Sequence, residues 1–129
     1  MAELTRNQAL VVEALRHAEG PMSAYSILDT LRGEGFRAPL QVYRALDKLM
    51  EMGLVHRLES LNAFVACSHP HHAHEAHAIT GFAICDQCGQ VDEFHDQAID
   101  ERLGAWTARS GFHPGKTTIE IRGRCRSCG

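Results

Sequence analysis

No stretch of the 129-residue chain approaches the roughly 20 consecutive apolar residues of a bilayer-crossing helix, so no membrane association is expected. The opening residues, Met1-Ala2-Glu3-Leu4-Thr5-Arg6, lack the basic start and apolar core of a secretory signal, which makes the expected location cytoplasmic. Positive charge is not in excess. Thirteen Lys and Arg face 16 Asp and Glu for a net charge of −3, and residues 1–60 hold seven against eight. Bulk electrostatics therefore lends nucleic-acid binding no support, and phosphate contacts would need local placement of cations. Catalytic motifs are missing too: there is no nucleophile elbow, phosphate loop or H-E-x-x-H pair, which argues against a small zinc hydrolase and for a protein that is not an enzyme. No internal repeat exceeds a cysteine pair.

Against these absences stand five cysteines and nine histidines, five of the latter within His69–His77. In a cytosolic chain, cysteines at this density point to metal rather than to disulfides. The hydrophobic fraction of 44% is that of a globular protein. A chain this short buries too little surface to be comfortably stable alone, so a metal or a partner subunit is expected to help.

The N-terminal half reads as three helices and a hairpin. Thr5 is the expected N-cap of a helix over 4–19 with Leu10, Val11, Ala14, Leu15 and Ala18 on one face, stopped at Gly20-Pro21. Ser23 caps a second helix that buries Ile27, Leu28 and Leu31 and ends near Gly33 and Gly35. Pro39 suits the first turn of a third, with Val42, Leu46, Leu49 and Met50 inward, Gln41, Arg44, Lys48 and Glu51 outward, and Gly53 as its stop. Two short strand-like runs, 54–58 and 63–67, flank the turn 59–62. Three helices followed by a hairpin is the order of a winged helix-turn-helix.

Residues 68–80, polar and histidine-rich, read as a hinge. The remainder predicts strands over 81–84, 91–94 and 116–122. Between the last two lies a helix over 97–110 that buries Ile99, Leu103 and Trp106 and stops at Gly111. The expected fold is thus α+β: a winged helix-turn-helix domain over 1–67, a hinge over 68–80, and an α/β domain over 81–129.

Cys85/Cys88 and Cys125/Cys128 form two C-x-x-C knuckles, each presenting two thiolates on one tight turn. Two knuckles supply the four ligands of a tetrahedral zinc site with no open position, which is a structural role. The 36 residues from Gly89 to Arg124 hold a strand, a helix and a strand, so the site would staple the two ends of the second domain. A redox-active dithiol fits a single C-x-x-C better than two matched ones.

Cys67 ends the expected wing, His56 lies in its first strand, His69–His77 follow, and Glu93 lies beyond the first knuckle. Together these residues would offer sulfur, nitrogen and carboxylate ligands, a mixture that suits zinc and is poor for magnesium or calcium. They span wing, hinge and second domain, so a metal there would couple the two halves. The plainer alternative is a solvated histidine loop beside a small buried cysteine. His95 and His113 read as ordinary surface histidines.

The block Ala38–Leu49 (APLQVYRALDKL) resembles the recognition-helix pattern of the ferric uptake regulator superfamily. Gly53-Leu54-Val55-His56, the histidine segment, Ile84–Glu93 (ICDQCGQVDE) and the closing Gly123–Gly129 (GRCRSCG) resemble it as well, and Leu4–Gln8 is similar to its opening helix. The resemblance covers essentially the whole chain. Within the superfamily, the wing ending in Cys67 is most similar to the zinc uptake regulator branch.

That resemblance implies a homodimer that binds double-stranded operator DNA and represses zinc-import genes when zinc is replete, with two zinc ions per subunit, one structural and one regulatory. It implies His56, Cys67, His77 and Glu93 as regulatory ligands, with His74 and His72 as alternatives for the hinge position. Tyr25, Tyr43 and Arg44 match DNA-contacting positions, Gln41 lies on the same recognition helix, Lys48, Arg57 and Arg37 would supply phosphate contacts, and Asp29 and Arg32 match a pair that can link neighbouring dimers when two share an operator. Gln41 stands where the family usually has threonine, Arg6 replaces a common proline, and Lys116 stands where some members carry a further metal-site histidine. Regulators of the same superfamily that sense iron, manganese or peroxide are the alternative, as is a zinc-stapled interaction module with no role on DNA.

Overall fold

Thr5 opens the first helix as its composition predicts. In the computed structural model, which describes residues 3–67 and 79–129, its Oγ1 accepts from Gln8 N at 3.2 Å while Gln8 Oε1 accepts from Thr5 N at 3.0 Å. This reciprocal box satisfies two backbone donors that the first turn would otherwise strand. The helix α1 spans Arg6–His17 and buries Val11, Val12 and Leu15. Ser23 caps α2 (Ala24–Leu31), which buries Ala24, Ile27, Leu28 and Leu31. Pro39 starts α3 (Pro39–Glu51), and Val42, Ala45, Leu46 and Leu49 face inward. Gly53, at φ 75°, supplies the left-handed residue after α3.

These faces close on one core that also takes Phe36, Val55 and Phe64. Each fully buried aliphatic or aromatic side chain in it contributes about 1.5–3 kcal/mol of transfer free energy. Phe36, in the turn before α3, is buried although no helical periodicity points to it.

The wing is an antiparallel pair, β1 (Val55–Leu58) and β2 (Ala63–Ala66), with Val55 opposite Ala66 and His56 opposite Val65. Asn62, at φ 49°, turns the chain between them. Met22 and Phe64 exchange backbone hydrogen bonds of 3.0 and 2.8 Å, so the α1–α2 connection lies against the wing as a third, one-residue strand. Helices α2 and α3 with this hairpin make a winged helix-turn-helix.

The chain divides into two compact units, Met1–His74 and Glu75–Gly129. The second is built on β3 (Thr80–Cys85), which pairs antiparallel with β4 (Val91–Phe94) and parallel with β5 (Thr118–Gly123), giving the order β4-β3-β5. As the central strand, β3 is buried along nearly its whole length, consistent with its unbroken apolar run Phe82-Ala83-Ile84. Gly81 lies opposite Phe94, and a Cβ there would fall inside the Phe94 ring.

Helix α4 (Gln97–Ser110) connects β4 to β5. Asp96 caps it by accepting from Ala98 N and Ile99 N at 2.9 and 3.3 Å, and Gly111 ends it at φ 74°. Asp100 Oδ1 accepts from Ile79 N at 3.1 Å, tying α4 to the start of β3. The burial expected of this helix is not observed. Trp106 is 55% exposed and Leu103 37%, with Phe112 exposed beyond the helix end, and no α4 residue is fully buried. One three-stranded sheet is too narrow to cover the helix's whole apolar stripe. No helix among the described residues is long and apolar enough to cross a membrane.

Candidate metal centres and nucleic-acid interface

The parallel pairing of β3 with β5 brings the four cysteines together. Cys85 ends β3 directly opposite Gly123, so the turns leaving both strands emerge side by side. In the first knuckle Gly89, at φ 80°, donates to Cys85 O at 3.0 Å; in the second, Cys128 N donates to Cys125 O at 3.0 Å. Asp86 N donates to Gly123 O at 2.7 Å, and Arg122 Nε and Nη2 each lie 2.9 Å from Asp86 Oδ1, which locks one turn to the other.

The four Sγ atoms lie within 4.8 Å of one another. Those of Cys88 and Cys125 are 3.7 Å apart. A tetrahedral zinc with Zn–S bonds of about 2.3 Å requires sulfurs about 3.8 Å apart, so this donor set fits that ion.

The electrostatics agrees. Cys85 Sγ accepts from Cys88 N at 3.4 Å and from Cys125 N at 3.3 Å, and these backbone donors bring its thiol down to about 6. Cys128, sharing a proton with Cys125 and partly desolvated, is pushed up to about 12, and Cys88 is also raised. Four thiols this close cannot all ionise without a cation among them.

In the first unit, His56 faces Val65 across the hairpin, and Cys67 lies two residues beyond Val65, so both side chains project from one face of the wing. A ring nitrogen of His56 and Cys67 Sγ lie within 4.8 Å of each other. His56 is buried, and Cys67 is fixed by its N–H to Leu54 O at 2.8 Å.

In the second unit, Glu93 Oε2 lies 3.0 Å from His95 Nε2, with side-chain exposures of 3% and 13% respectively. His95 is therefore not the ordinary surface histidine expected from sequence. It lies one residue past the end of β4 and two beyond Glu93, and a carboxylate so buried requires such a partner. The i, i+2 spacing was the signal available in the sequence. His113 is exposed. The hinge candidates His72, His74 and His77 lie outside the described residues.

Of the residues expected to contact DNA, Tyr25 on α2 and Tyr43, Arg44 and Lys48 on α3 face solvent, and Gln41 is half-buried. Tyr25 is 64% exposed and Tyr43 39%, and Arg44 is exposed with no ion pair among the described residues. Lys48 Nζ lies 3.3 Å from Glu51. Gln41, Arg44 and Lys48 line one open cleft of about 540 Å³ together with Thr5, Asn7, Gln8, Ala45 and Asp47. Gln41 is partly committed elsewhere, since its Oε1 accepts from Arg37 N and Ala38 N. Asp29 Oδ1 lies 3.0 Å from Arg32 Nε on the same helical turn, an exposed pair closed within one chain.

A winged helix-turn-helix followed by a thiolate-stapled α/β unit places the chain among small metal-binding proteins with a nucleic-acid-reading fold. Comparison with known proteins is more specific: the profile described as "Ferric uptake regulator family" matches residues 2–122. The chain belongs to the ferric uptake regulator family. It is 36% identical over 126 residues to the zinc uptake regulation protein of Escherichia coli K12, covering 97% of this chain and 72% of that protein. It is similar to a solved structure of holo XcZur, at TM-score 0.86 and 42% identity over 97% of this chain and 85% of that one. It is also similar to a zinc uptake regulator complexed with zinc and DNA, at TM-score 0.87 and 35% identity over 98% and 83%.

Proposed function

We propose that this chain is a zinc-responsive, DNA-binding transcriptional repressor of zinc-uptake genes, with zinc as co-repressor. The observation that carries the reading is the His56–Cys67 pair, a nitrogen and a sulfur donor within 4.8 Å of each other in the wing of a winged helix-turn-helix. Soft and borderline donors of this kind suit zinc. The named relatives support the same metal, and the solved complex with zinc and DNA supports the same partner. The relatives are named as regulators, which supports a protein that acts by binding, in the cytoplasm, rather than by catalysis.

In this reading residues 1–67 are the reader, 68–80 the hinge and 81–129 the dimerisation domain. Each subunit takes two zinc ions. Cys85, Cys88, Cys125 and Cys128 hold one permanently. His56, Cys67, Glu93 and a hinge histidine, His77 or else His74 or His72, hold the other reversibly. Metal shared by wing, hinge and core sets the angle between reader and dimer, and so places two recognition helices about 34 Å apart, one turn of DNA. Tyr25, Gln41, Tyr43, Arg44 and Lys48 contact the operator. The exposed Trp106, Leu103 and Phe112, and the unpaired outer edge of β5 among the described residues, support a second copy as the partner of the second unit. Asp29 and Arg32 exchange their mutual contact for one with a neighbouring dimer where two dimers share an operator.

The test is operator binding in buffers that hold free zinc, iron(II) or manganese(II) at set concentrations. Zinc is expected to promote binding at the lowest free concentration. Promotion by iron or manganese at lower concentration would assign the protein to a different sensing branch of its family.

A further inference from the structure

Gln41 stands in the first turn of α3, the part of a recognition helix that reaches base edges. Its Oε1 accepts two hydrogen bonds, from Arg37 N at 2.6 Å and from Ala38 N at 3.1 Å. Ala38, at the N-cap, has no side-chain acceptor of its own, so Gln41 supplies the capping that this turn needs. A carboxamide oxygen has two lone pairs, and both are spent inside the chain. Rotating the amide by half a turn would set its NH₂ against two backbone N–H donors, so its orientation is fixed. The two Nε2 protons have no partner among the described residues, and the side chain is half-buried on the cleft it shares with Arg44 and Lys48.

We infer that Gln41 reads the operator as a group that can only donate. It contacts a base edge that presents acceptors, guanine O6 and N7 or thymine O4, with adenine N7 open to it only through a single bond beside the N6 donor. The two-bond contact that a free glutamine makes with adenine is closed to it, because that contact needs the amide oxygen to accept from adenine N6. Gln41 is thereby a specificity-determining residue whose selectivity is set by the capping of its own helix. The inference rests on the DNA-binding reading above.

Gln41→Glu separates the two roles. A glutamate here keeps an oxygen for the Arg37 and Ala38 N–H groups, as in an ordinary capping box, and turns an acceptor outward in place of the donor. The zinc-loaded full-length chain and this variant are each used to select duplexes from a random-sequence pool. The variant is expected to bind the wild-type consensus roughly tenfold or more weakly, and to prefer cytosine or adenine at the one position per half-site where the wild type prefers guanine or thymine. Gln41→Met, uncharged and of similar length, is expected to lose preference at that position alone. Motifs identical at every position for all three proteins would overturn the inference while leaving DNA binding intact, as would a uniform loss of affinity with no change of motif. A wild-type chain that enriches no sequence would remove the DNA-binding reading, and this one with it.

Discussion

The sulfur of Cys88 lies 3.7 Å from that of Cys125, across 37 positions of chain. Parallel pairing of β3 and β5 makes the contact, and four thiols at one place need a cation to coexist as thiolates. Replacing Cys88 with serine should therefore cost more than one ligand. The variant is expected to lose the zinc expected at this site and, with it, much of the stability of the second unit, because metal binding and folding share one free energy. Trp106, the chain's single tryptophan, lies in α4 and reports that unit directly. In a denaturant titration its fluorescence should shift to that of a solvated indole at lower denaturant than in the wild type, while helices α1–α3 keep their circular dichroism.

Protonation supplies a second check. The Cys85 thiol, brought from 9.0 to about 6 by its backbone donors, is already ionised at neutral pH. Cys128, pushed to about 12, is not. Without metal, the depressed Cys85 contributes stability above its unfolded value that is lost as pH falls through about 6. The raised Cys128 contributes stability below its unfolded value that is lost as pH rises through about 12. Zinc needs all four ionised, so affinity at this site climbs with pH between these limits. Calorimetry in two buffers of different protonation enthalpy, at about pH 7.5, should find fewer than four protons released per zinc. Release of all four would contradict the assignment of Cys85.

The exposed side of α4 makes a prediction about assembly. Trp106→Glu places a charge where the account puts a second copy, and should raise the dimer dissociation constant at least roughly 30-fold, the scale of an interfacial hot spot. Sedimentation should show monomer at concentrations where the wild type is dimeric. The residue is 55% exposed in the single chain, so the monomer should keep its zinc and its fold.

Much of this was legible in the sequence, for local reasons. Thr5, Ser23 and Pro39 mark helix starts because caps and first-turn prolines act on neighbouring backbone, and Gly53 and Gly111 mark ends for the same reason. The cysteine spacing exposes the staple. What escaped was non-local. The periodicity of α4 revealed an apolar stripe at Leu103 and Trp106, but periodicity does not say whether the same chain covers it. The Met22–Phe64 pairing joins segments far apart in sequence and leaves no local trace. Burial of His95 depends on its pairing with Glu93 at the end of β4. The engagement of Gln41 depends on which residue becomes the N-cap of α3.

The central claim is that metal at the wing controls DNA binding. It is tested most directly by titrating a selected operator with wild type and Cys67→Ser, at free zinc held low and then high. For the wild type the account predicts an affinity that rises with zinc roughly 5- to 150-fold, the range of a coupling of about 1–3 kcal/mol. For Cys67→Ser it predicts an affinity that stays flat in a protein still dimeric and still holding its Cys85/Cys88/Cys125/Cys128 zinc. Equal responses to zinc in the two proteins, or none in the wild type, would contradict it.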